Sequence, residues 1–416
     1  MSRESFGSSN FRTLPLLLVL FPIFIGSVKI LGNLIFVAFF IHGVYTAISK
    51  KLSPFSQPQL RLFSWLTTGY FLLMFFSICI SENADSSFLH LARLVHFLAA
   101  PFVALSFTQF EWELDQPLVG FKLGLILMSC IIFIQYFSGI SRPSGMYNSN
   151  VLGDLFAIMV VTALIKIWQE KAGALVLSSL AFGMGALALY LMEVRGSLLS
   201  FGILLMVVMV ANMRFYLRST ISRMILLMVF LIFLLLGLNS PNVKSRIIES
   251  KHRFEQWQVG ENLVTGVGVR LEMYMASIEA IKNSPWIGYG YRNEIKAVIN
   301  FIREEAKAEI STYTHLHNQY ITNFVSAGIF GFLWALALVL VPLWQFAPKL
   351  GDRDLGDYAM MGMLLCVGYA TFGLTHIAFG EEHMNAFFII FLAMLLPLMH
   401  GETSQHNSKL VSGIQS

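Results

Sequence analysis

Long apolar runs follow one another along this chain, separated by short polar connections. Most of the runs approach the roughly twenty residues that an α-helix needs to cross ~30 Å of hydrocarbon. The pattern therefore predicts an all-α polytopic membrane protein with about twelve transmembrane helices. The predicted spans cover residues 14–28, 30–48, 62–80, 91–109, 121–138, 154–168, 174–192, 197–212, 224–239, 319–343, 358–378 and 386–400.

One long polar segment, residues 240–318, interrupts this pattern and divides the chain. The predicted organisation is nine spans within 1–239, the polar segment, three spans within 319–400 and a cytoplasmic tail at 401–416. The polar segment holds 10 Lys/Arg and 9 Asp/Glu residues and is therefore nearly neutral. Its length, rather than its charge, distinguishes it from the other connections.

Two amphipathic helices are predicted inside the polar segment. The first, at 269–283, has an apolar stripe at helical spacing that consists of Leu271, Tyr274, Met275, Ile278 and Ile281. In the second, at 293–310, Arg303 is expected to point outward. The apolar stripe of this second helix consists of Ile295, Val298, Ile299, Ile302 and Ala306. Because such helices lie on a membrane surface or cap a bundle, we expect them to cover a cavity at the membrane interface.

Composition supports a membrane protein and argues against several other classes. With 56% hydrophobic residues, 12% charged residues and a mean hydropathy of +0.68, the chain has more apolar surface than one aqueous core can bury. The net charge of +4 is scattered over the connections, so a nucleic acid is not an expected partner. The three cysteines lie inside apolar runs without the spacing of metal ligands, and we interpret them as packing residues.

Lysine and arginine residues indicate how the chain crosses the membrane, because cytoplasmic connections carry an excess of them. They occur in four of the five connections assigned to the cytoplasm, the exception being the acidic connection that contains Glu111, whereas the opposite connections carry carboxylates such as Glu381 and Glu382. Both termini are therefore predicted to be cytoplasmic and the polar segment extracytoplasmic. The first apolar run could also be a signal-peptide core, but a second run begins at Ile30 without a cleavage site between them, so a transmembrane hairpin is favoured.

Arg195 and Arg270 are the candidate anion-binding residues. Arg195 follows an apolar run and precedes Gly196, which suits phosphate binding, although a lone arginine at a membrane boundary also reaches toward lipid headgroups. Arg270 begins a predicted helix, whose N-terminus also favours an anion; an ordinary surface ion pair is the alternative. Together the two guanidinium groups could hold a diphosphate.

His317 is the candidate general base, because it lies where the polar segment re-enters the membrane and histidine has a reference pKa of ~6.5. His315 precedes it by two residues and Asn318 follows it directly. A His-x-His pair can also bind a metal, but no carboxylate or cysteine nearby completes the ligand set, so neither a metal nor another cofactor is expected. A polar cap on the span that begins near Gln319 is the structural alternative.

Three groups of residues together resemble the O-antigen ligase family. They are Arg195–Gly196, then Arg270 with the Pro-x-x-Gly-x-Gly pattern at 285–290, and the run 315–320 followed by Gly328 and Gly331. The Pro-x-x-Gly-x-Gly and His-x-His-Asn patterns in one large loop are fairly specific together and weak apart. The same superfamily includes O-antigen polymerases and protein O-oligosaccharyltransferases, so the resemblance indicates the donor class better than the acceptor.

The resemblance implies a GT-C-like glycosyltransferase of the bacterial inner membrane whose active site faces the periplasm. It would transfer O-antigen from undecaprenyl diphosphate to a sugar hydroxyl of lipid A-core in lipopolysaccharide biosynthesis, with inversion and without a metal. It further implies that His317 accepts the hydroxyl proton while Arg195 and Arg270 hold the diphosphate, supported by His315 and Asn318. An O-antigen polymerase and, outside enzymes, a lipid-linked sugar exporter are the alternatives.

Overall fold

The computed structural model describes residues 14–81, 88, 90–211, 249, 251–252, 254–261 and 263–400. The predicted span at 224–239, the first residues of the polar segment and the tail at 401–416 lie outside them. Within the described residues the regular secondary structure is helical, without strands, which confirms the all-α prediction. The α-helices are α1 Leu14–Ser27, α2 Lys29–Ser49, α3 Pro58–Cys79, α4 Val95–Phe107, α5 Asp115–Phe137, α6 Ser149–Thr162, α7 Ala172–Leu191, α8 Arg195–Ala211, α9 Gly266–Asn283, α10 Glu294–Ile299, α11 Glu304–Ile310, α12 Gln319–Phe346, α13 Gly356–Phe372 and α14 Glu382–Leu395.

The described helices include seven that are long and apolar enough to cross a membrane. They are Ile30–Ser49, Pro58–Cys79, Asp115–Phe137, Ser149–Gln169, Ala172–Leu191, Gln319–Lys349 and Glu382–His400. Shorter apolar helices are Leu14–Ser27, Leu91–Phe107 and Arg195–Ala211. A helix overlaps each predicted span that falls on described residues. The chain is thus a polytopic helical membrane protein by the length and composition of its helices, while the number of twelve spans and the GT-C-like arrangement stay predictions.

The first of two compact units contains the described residues within Met1–Leu72, Leu91–Leu205 and Trp334–Ser416. Its centre is α14, which is buried along its length because several helices of this unit surround it. Phe387 and Phe391 of α14 pack against Phe21 of α1 and Phe121 of α5, with ring centroids 4.9 to 6.4 Å apart. The outward face of this unit is apolar, with Phe137 82% exposed, as expected of helices that contact lipid.

The second unit contains the described residues within Leu73–His90 and Met206–Leu333. Its core consists of apolar side chains from α9, α10, α11 and the start of α12. The predicted helix at 293–310 is two helices, α10 and α11, separated by a turn. Part of its predicted apolar stripe is nevertheless in the core, namely Val298, Ile302 and Ala306.

Helix α9 buries a different face from the one that its apolar stripe indicates. Met275 and Ile278, which belong to that stripe, are exposed. The buried positions are mostly small, and they comprise Gly268, Val269, Glu272, Met273, Ala276, Ser277 and Ala280. Small side chains allow the neighbouring segments to approach α9 closely, so packing rather than hydrophobicity selects the buried face.

Glu272 is tolerated inside this core because it is fully paired. Its carboxylate accepts hydrogen bonds from the indole N–H of Trp257 at 2.7 Å and from Nε of Arg303 at 2.9 Å. The guanidinium of Arg303 also lies over the Trp257 ring, 5.3 Å from the ring centroid. Arg303 therefore points into the unit, and its predicted outward orientation is wrong.

Helix α12 is broken at Ala327 and Gly328, where the backbone leaves the helical conformation. Such a break exposes carbonyl and amide groups that need new partners. The loop 285–290 supplies them: the amides of Tyr289 and Gly290 donate to the carbonyls of residues 325 and 326 at 2.8 and 2.9 Å. In return, the amide of Ile329 donates to the carbonyl of Pro285 at 2.8 Å.

The close approach of this loop to α12 explains why glycine occupies position 288 of the loop and position 328 of the helix. Gly288 and Gly328 both have positive φ, at 74° and 62°. A Cβ on Gly288 would lie 2.6 Å from the carbonyl carbon of Ser326, and a Cβ on Gly328 would lie 2.1 Å from the carbonyl oxygen of Trp286. The Pro-x-x-Gly-x-Gly pattern thus forms a structural joint with the broken helix.

Candidate active site

The His-x-His pattern is held by the residue between its two histidines. Leu316 is fully buried in the core of the second unit, which stabilises the loop by about 1.5–3 kcal/mol. The rings of His315 and His317 are in contact, with centroids 4.4 Å apart, and Tyr313 packs on His317 at 5.4 Å. His317 itself has a φ of 53°, a left-handed conformation that few residues other than glycine adopt. The loop thus presents His317 in a fixed orientation.

Asn318 closes the site by capping the helix that follows. Its side-chain oxygen accepts hydrogen bonds from the amides of Tyr320 and Ile321, both at 3.0 Å. These are amides at the start of α12 that have no partner within the helix, so Asn318 acts as its N-cap. The same side chain is hydrogen-bonded to Tyr274 of α9.

Tyr274 and Arg270 lie one turn apart on α9 and both interact with the His317 loop. The Tyr274 hydroxyl donates a hydrogen bond of 3.2 Å to the backbone carbonyl of His317. Arg270 is close enough for its charge to act on the His317 imidazole. The structure therefore brings together Arg270, His315, His317 and Asn318. It adds Tyr274, which the sequence pattern had placed in the apolar stripe of the first amphipathic helix.

The His317 ring is held in its neutral form. Burial and, to a smaller extent, the positive charge of Arg270 together lower the pKa of His317 to about 4. Nδ1 of His317 is enclosed and has no hydrogen-bond partner among the residues that the structure describes. An unprotonated imidazole beside a cation suits proton acceptance next to an anionic ligand.

A buried carboxyl group lies next to the break in α12 and was not predicted as part of any site. Glu294 is 1% exposed, and one of its oxygens accepts hydrogen bonds from the Ser326 hydroxyl at 2.5 Å and the Arg292 amide at 3.0 Å. Burial raises the pKa of Glu294, although these hydrogen bonds and the Arg292 charge oppose the effect. Glu294 thus ties α10 to α12, and no sequence spacing points to it.

Arg195 belongs to the first unit, where it is the exposed first residue of α8. Two neighbours fix this helix end. The Ser197 hydroxyl donates to the carboxylate of Asp154 in α6 at 2.6 Å, and a Cβ on Gly196 would lie 2.6 Å from the Thr375 hydroxyl. Gly196 is therefore a packing residue rather than an opening for a ligand.

The Asp154 carboxylate also lies 3.8 Å from Nδ1 of His376, and both residues are buried. His376 and Asp154 thus form a polar pair inside the first unit. No group of three or more histidine, cysteine, aspartate or glutamate residues with the geometry of a metal site occurs within the described ranges.

Comparison with known proteins relates the chain to a family and to a protein of another organism. Residues 180–336 match the model of the family described as O-antigen ligase, and this range includes Arg195, Arg270 and His317. The chain is also 22% identical over 360 residues to an uncharacterized protein of Haemophilus influenzae. That alignment covers 84% of this chain and 88% of the relative.

Proposed function

The chain carries an O-antigen ligase domain over residues 180–336, and on this premise we propose that it is a glycosyltransferase with a polyprenyl-diphosphate-linked glycan as donor. Its proposed reaction transfers O-antigen from undecaprenyl diphosphate to a sugar hydroxyl of lipid A-core. The observation that supports the proposal is the proximity of the Arg270 charge to the His317 imidazole, whose pKa it helps to lower. We expect the reaction at the periplasmic face of the inner membrane, with both termini cytoplasmic.

The proposed step is a single displacement. The acceptor hydroxyl attacks the anomeric carbon of the donor, a new C–O bond forms on the opposite face, and the bond to the diphosphate breaks. The hydroxyl proton goes to His317 through Nε2, because Nδ1 is enclosed. Arg270, together with Arg195, stabilises the charge that develops on the leaving diphosphate. The glycan is thereby inverted at its first sugar, and undecaprenyl diphosphate is released.

Donor binding would make His317 a stronger base. In the free site, burial and the charge of Arg270 both favour the neutral imidazole. A diphosphate bound to Arg270 neutralises that charge and favours the imidazolium, so the pKa of His317 rises when the donor is present. Base strength and donor occupancy are coupled in this way, which limits unproductive proton uptake by the empty site.

An O-antigen polymerase is the second candidate, because the matched family supports the donor chemistry and leaves the acceptor open. A polymerase would use the same roles for His317 and Arg270, with a second lipid-linked glycan as acceptor. A protein O-oligosaccharyltransferase would use a hydroxyl of a protein. A lipid-linked sugar exporter would need no proton acceptor at position 317.

Lipopolysaccharide profiles test the proposal. A deletion strain is complemented with the wild-type gene, with His317→Ala, or with His252→Ala as a control at an exposed histidine of the polar segment. For a ligase, His317→Ala leaves lipid A-core without polymer while long chains accumulate on the lipid carrier. For a polymerase, a single repeat stays attached. Normal polymer on lipid A-core in the His317→Ala strain contradicts the catalytic role.

A further inference from the structure

A cleft of about 170 Å³ opens in the first unit, where α4, α6 and α14 begin. Most of the residues that line it are polar. None of these residues belongs to the candidate site that the sequence predicted. The cleft is lined by Arg93, Met146, Tyr147, Asn148, Val151, Glu381, Glu382 and His383.

One part of the cleft wall is held by Arg93 and Asn385. The guanidinium of Arg93 donates to the carbonyl of Gly380 at 3.2 Å and lies 4.0 Å from the Glu381 carboxylate. The side-chain amide of Asn385 donates to the carbonyl of Arg93 at 2.6 Å. The side chains of Arg93 and Glu381 are 29% and 30% exposed, so their charged groups are accessible from the cleft.

Another part of the wall is fixed by Tyr147. Its hydroxyl donates to the carbonyl of Ile25 at 2.6 Å, and its ring meets the His383 ring edge-on at a centroid distance of 4.9 Å. Next to it, Asn148 caps α6 through a 2.9 Å hydrogen bond that its side-chain oxygen accepts from Asn150. Because both parts of the wall are preformed, a ligand would lose little free energy in ordering them.

The chemistry of the lining matches a sugar better than an ion. Each sugar hydroxyl donates and accepts, and the cleft offers carboxylates that accept, a guanidinium that donates and the amide N–H groups of Asn148. Met146 and Val151 supply apolar contacts for the C–H face of a sugar ring. A diphosphate would be repelled by Glu381 and Glu382.

The same helix that lines the cleft also fixes the start of α8. Val151 in the first turn of α6 lines the cleft, and Asp154 follows one turn later. Asp154 accepts the hydrogen bond from Ser197, in the first turn of the helix that begins with Arg195. Within the first unit, α6 therefore joins the cleft to the end of the helix that carries Arg195. The positive-inside rule predicts that these helix ends face the same side of the membrane as the polar segment.

We propose that this cleft is a saccharide-binding subsite that holds a sugar of the glycan acceptor or of the donor during transfer. The proposal rests on the proposed function for the kind of glycan that reaches it. Glu381, Glu382 and Asn148 bind hydroxyl groups in the cleft, while Arg93 donates to the ring or glycosidic oxygens. The subsite orients one substrate and takes no part in the proton transfer at His317.

Two substitutions remove binding groups from the cleft with little change to the fold. Glu382→Gln keeps the shape and removes the charge. Asn148→Ser keeps an N-cap for α6 and removes the amide donors, because serine caps helices as well as asparagine does. Glu309→Gln, at an exposed glutamate of the polar segment, is the control. All three proteins are studied at full length in nanodiscs, with thermal unfolding as a check of folding.

Initial transfer rates are measured with lipid-linked glycan as donor and lipid A-core as acceptor. In Glu382→Gln the KM should rise about tenfold with little change in kcat, since a hydrogen bond to a charged group contributes about 1.5–3 kcal/mol. In Asn148→Ser the KM should rise about two- to tenfold, since a neutral hydrogen bond contributes about 0.5–1.5 kcal/mol. A rise for the acceptor alone assigns the cleft to the acceptor, and a rise for the donor alone assigns it to the donor. Unchanged KM values for both substrates in the two folded variants would overturn the subsite.

If the proposed function is wrong, the wild-type protein itself transfers no glycan, which distinguishes this outcome from failure of the subsite alone. Binding to the cleft is then tested by saturation-transfer NMR with the lipid-free glycans. Loss of the saturation-transfer signal in Glu382→Gln, but not in Glu309→Gln, supports the subsite independently of transfer. Equal signals in wild type and both cleft variants contradict it.

Discussion

The hydroxyl of Tyr274 donates a hydrogen bond of 3.2 Å to the backbone carbonyl of His317, and this bond fastens α9 to the loop that presents the histidine. Arg270 lies one turn earlier on the same helix and acts on the His317 imidazole through its charge. One helix therefore positions both the cation and the backbone of the proposed base. Movement of α9 would change the proposed donor-binding group and the proposed base together.

Tyr274→Phe should lower kcat about two- to tenfold, because it removes the hydrogen bond to the His317 carbonyl, worth about 0.5–1.5 kcal/mol, as well as the bond to the Asn318 side chain. The KM for the donor should change little, since Arg270 stays in place. Tyr136→Phe, at an exposed tyrosine of α5, is the matched control. Wild-type kcat in Tyr274→Phe would show that these bonds do not position the base.

The pH dependence of transfer should differ between the free enzyme and the donor complex. With donor varied at saturating acceptor, kcat/KM reports the free site, where the pKa of His317 is about 4, so the rate should hold at pH 6 and fall only as the pH approaches 4. The donor diphosphate raises this pKa, so the acid limb of kcat should lie at higher pH. If the acid limbs of kcat and kcat/KM lie at the same pH, donor binding does not raise the pKa of His317.

Arg270→Gln should raise the KM for the donor and shift the acid limb of kcat/KM upward. Burial lowers the pKa of His317 in any case, but loss of the neighbouring positive charge makes the imidazolium less unfavourable. Lys282→Gln removes a charge from the last turn of the same helix, where the lysine is paired with Glu279 at the surface. It should leave both quantities unchanged, and an equal shift in both variants would argue for a general charge effect.

Gly328→Ala should destabilise the protein by about 2 kcal/mol or more. Gly328 has φ 62° and ψ −157°, which is nearly restricted to glycine, and a Cβ there would meet the Trp286 carbonyl at 2.1 Å. Thermal unfolding in detergent should give a lower Tm. The control is Gly183→Ala in α7, where a Cβ meets nothing within 4 Å and alanine favours the helix. An unchanged Tm for Gly328→Ala would refute the proposed joint.

Glu272→Gln should destabilise the second unit much more than Glu279→Gln does. Glu272 is buried and paired with Arg303, whereas Glu279 forms an exposed i,i+3 pair with Lys282. Because Arg303 is partly exposed, loss of the buried pair is expected to cost about 1–3 kcal/mol, and loss of the exposed pair under about 0.5 kcal/mol. Limited proteolysis of the polar segment measures the difference, and equal cleavage rates would contradict it.

The pKa of Glu272 also predicts how the stability of the second unit depends on pH. Burial alone would raise the pKa of Glu272, but hydrogen bonds from Arg303 and Trp257 outweigh it and lower the pKa below its ordinary value. The stabilisation is present above the unfolded pKa of ~4.5 and is lost as the pH falls through the lower folded pKa. Proteolysis in wild type should therefore accelerate below about pH 4, and this step should be absent in Glu272→Gln.

Several features of the candidate site were predictable from the sequence because they depend on local order. Gln319 begins a helix, His317 lies just before it and Arg270 lies in the first turns of another helix, as the polar and apolar pattern indicates. Tyr274 could have been found from its i,i+4 spacing to Arg270, which places both side chains on one face. Because its ring is aromatic, the sequence pattern instead placed Tyr274 in an apolar stripe.

The sequence by itself determined which segments are helical and long enough to enter a membrane, because a span must satisfy its backbone within about twenty apolar residues. It also determined that the His-x-His-Asn run lies at the edge of such a span. Only the tertiary structure decided that α9 buries Glu272 instead of Met275, that the glycines of 285–290 form a joint with α12, and that Arg93 and Glu381 line one cleft. These features depend on which segments meet across long distances in the chain, and a local pattern of hydrophobic and polar residues carries no information about those partners.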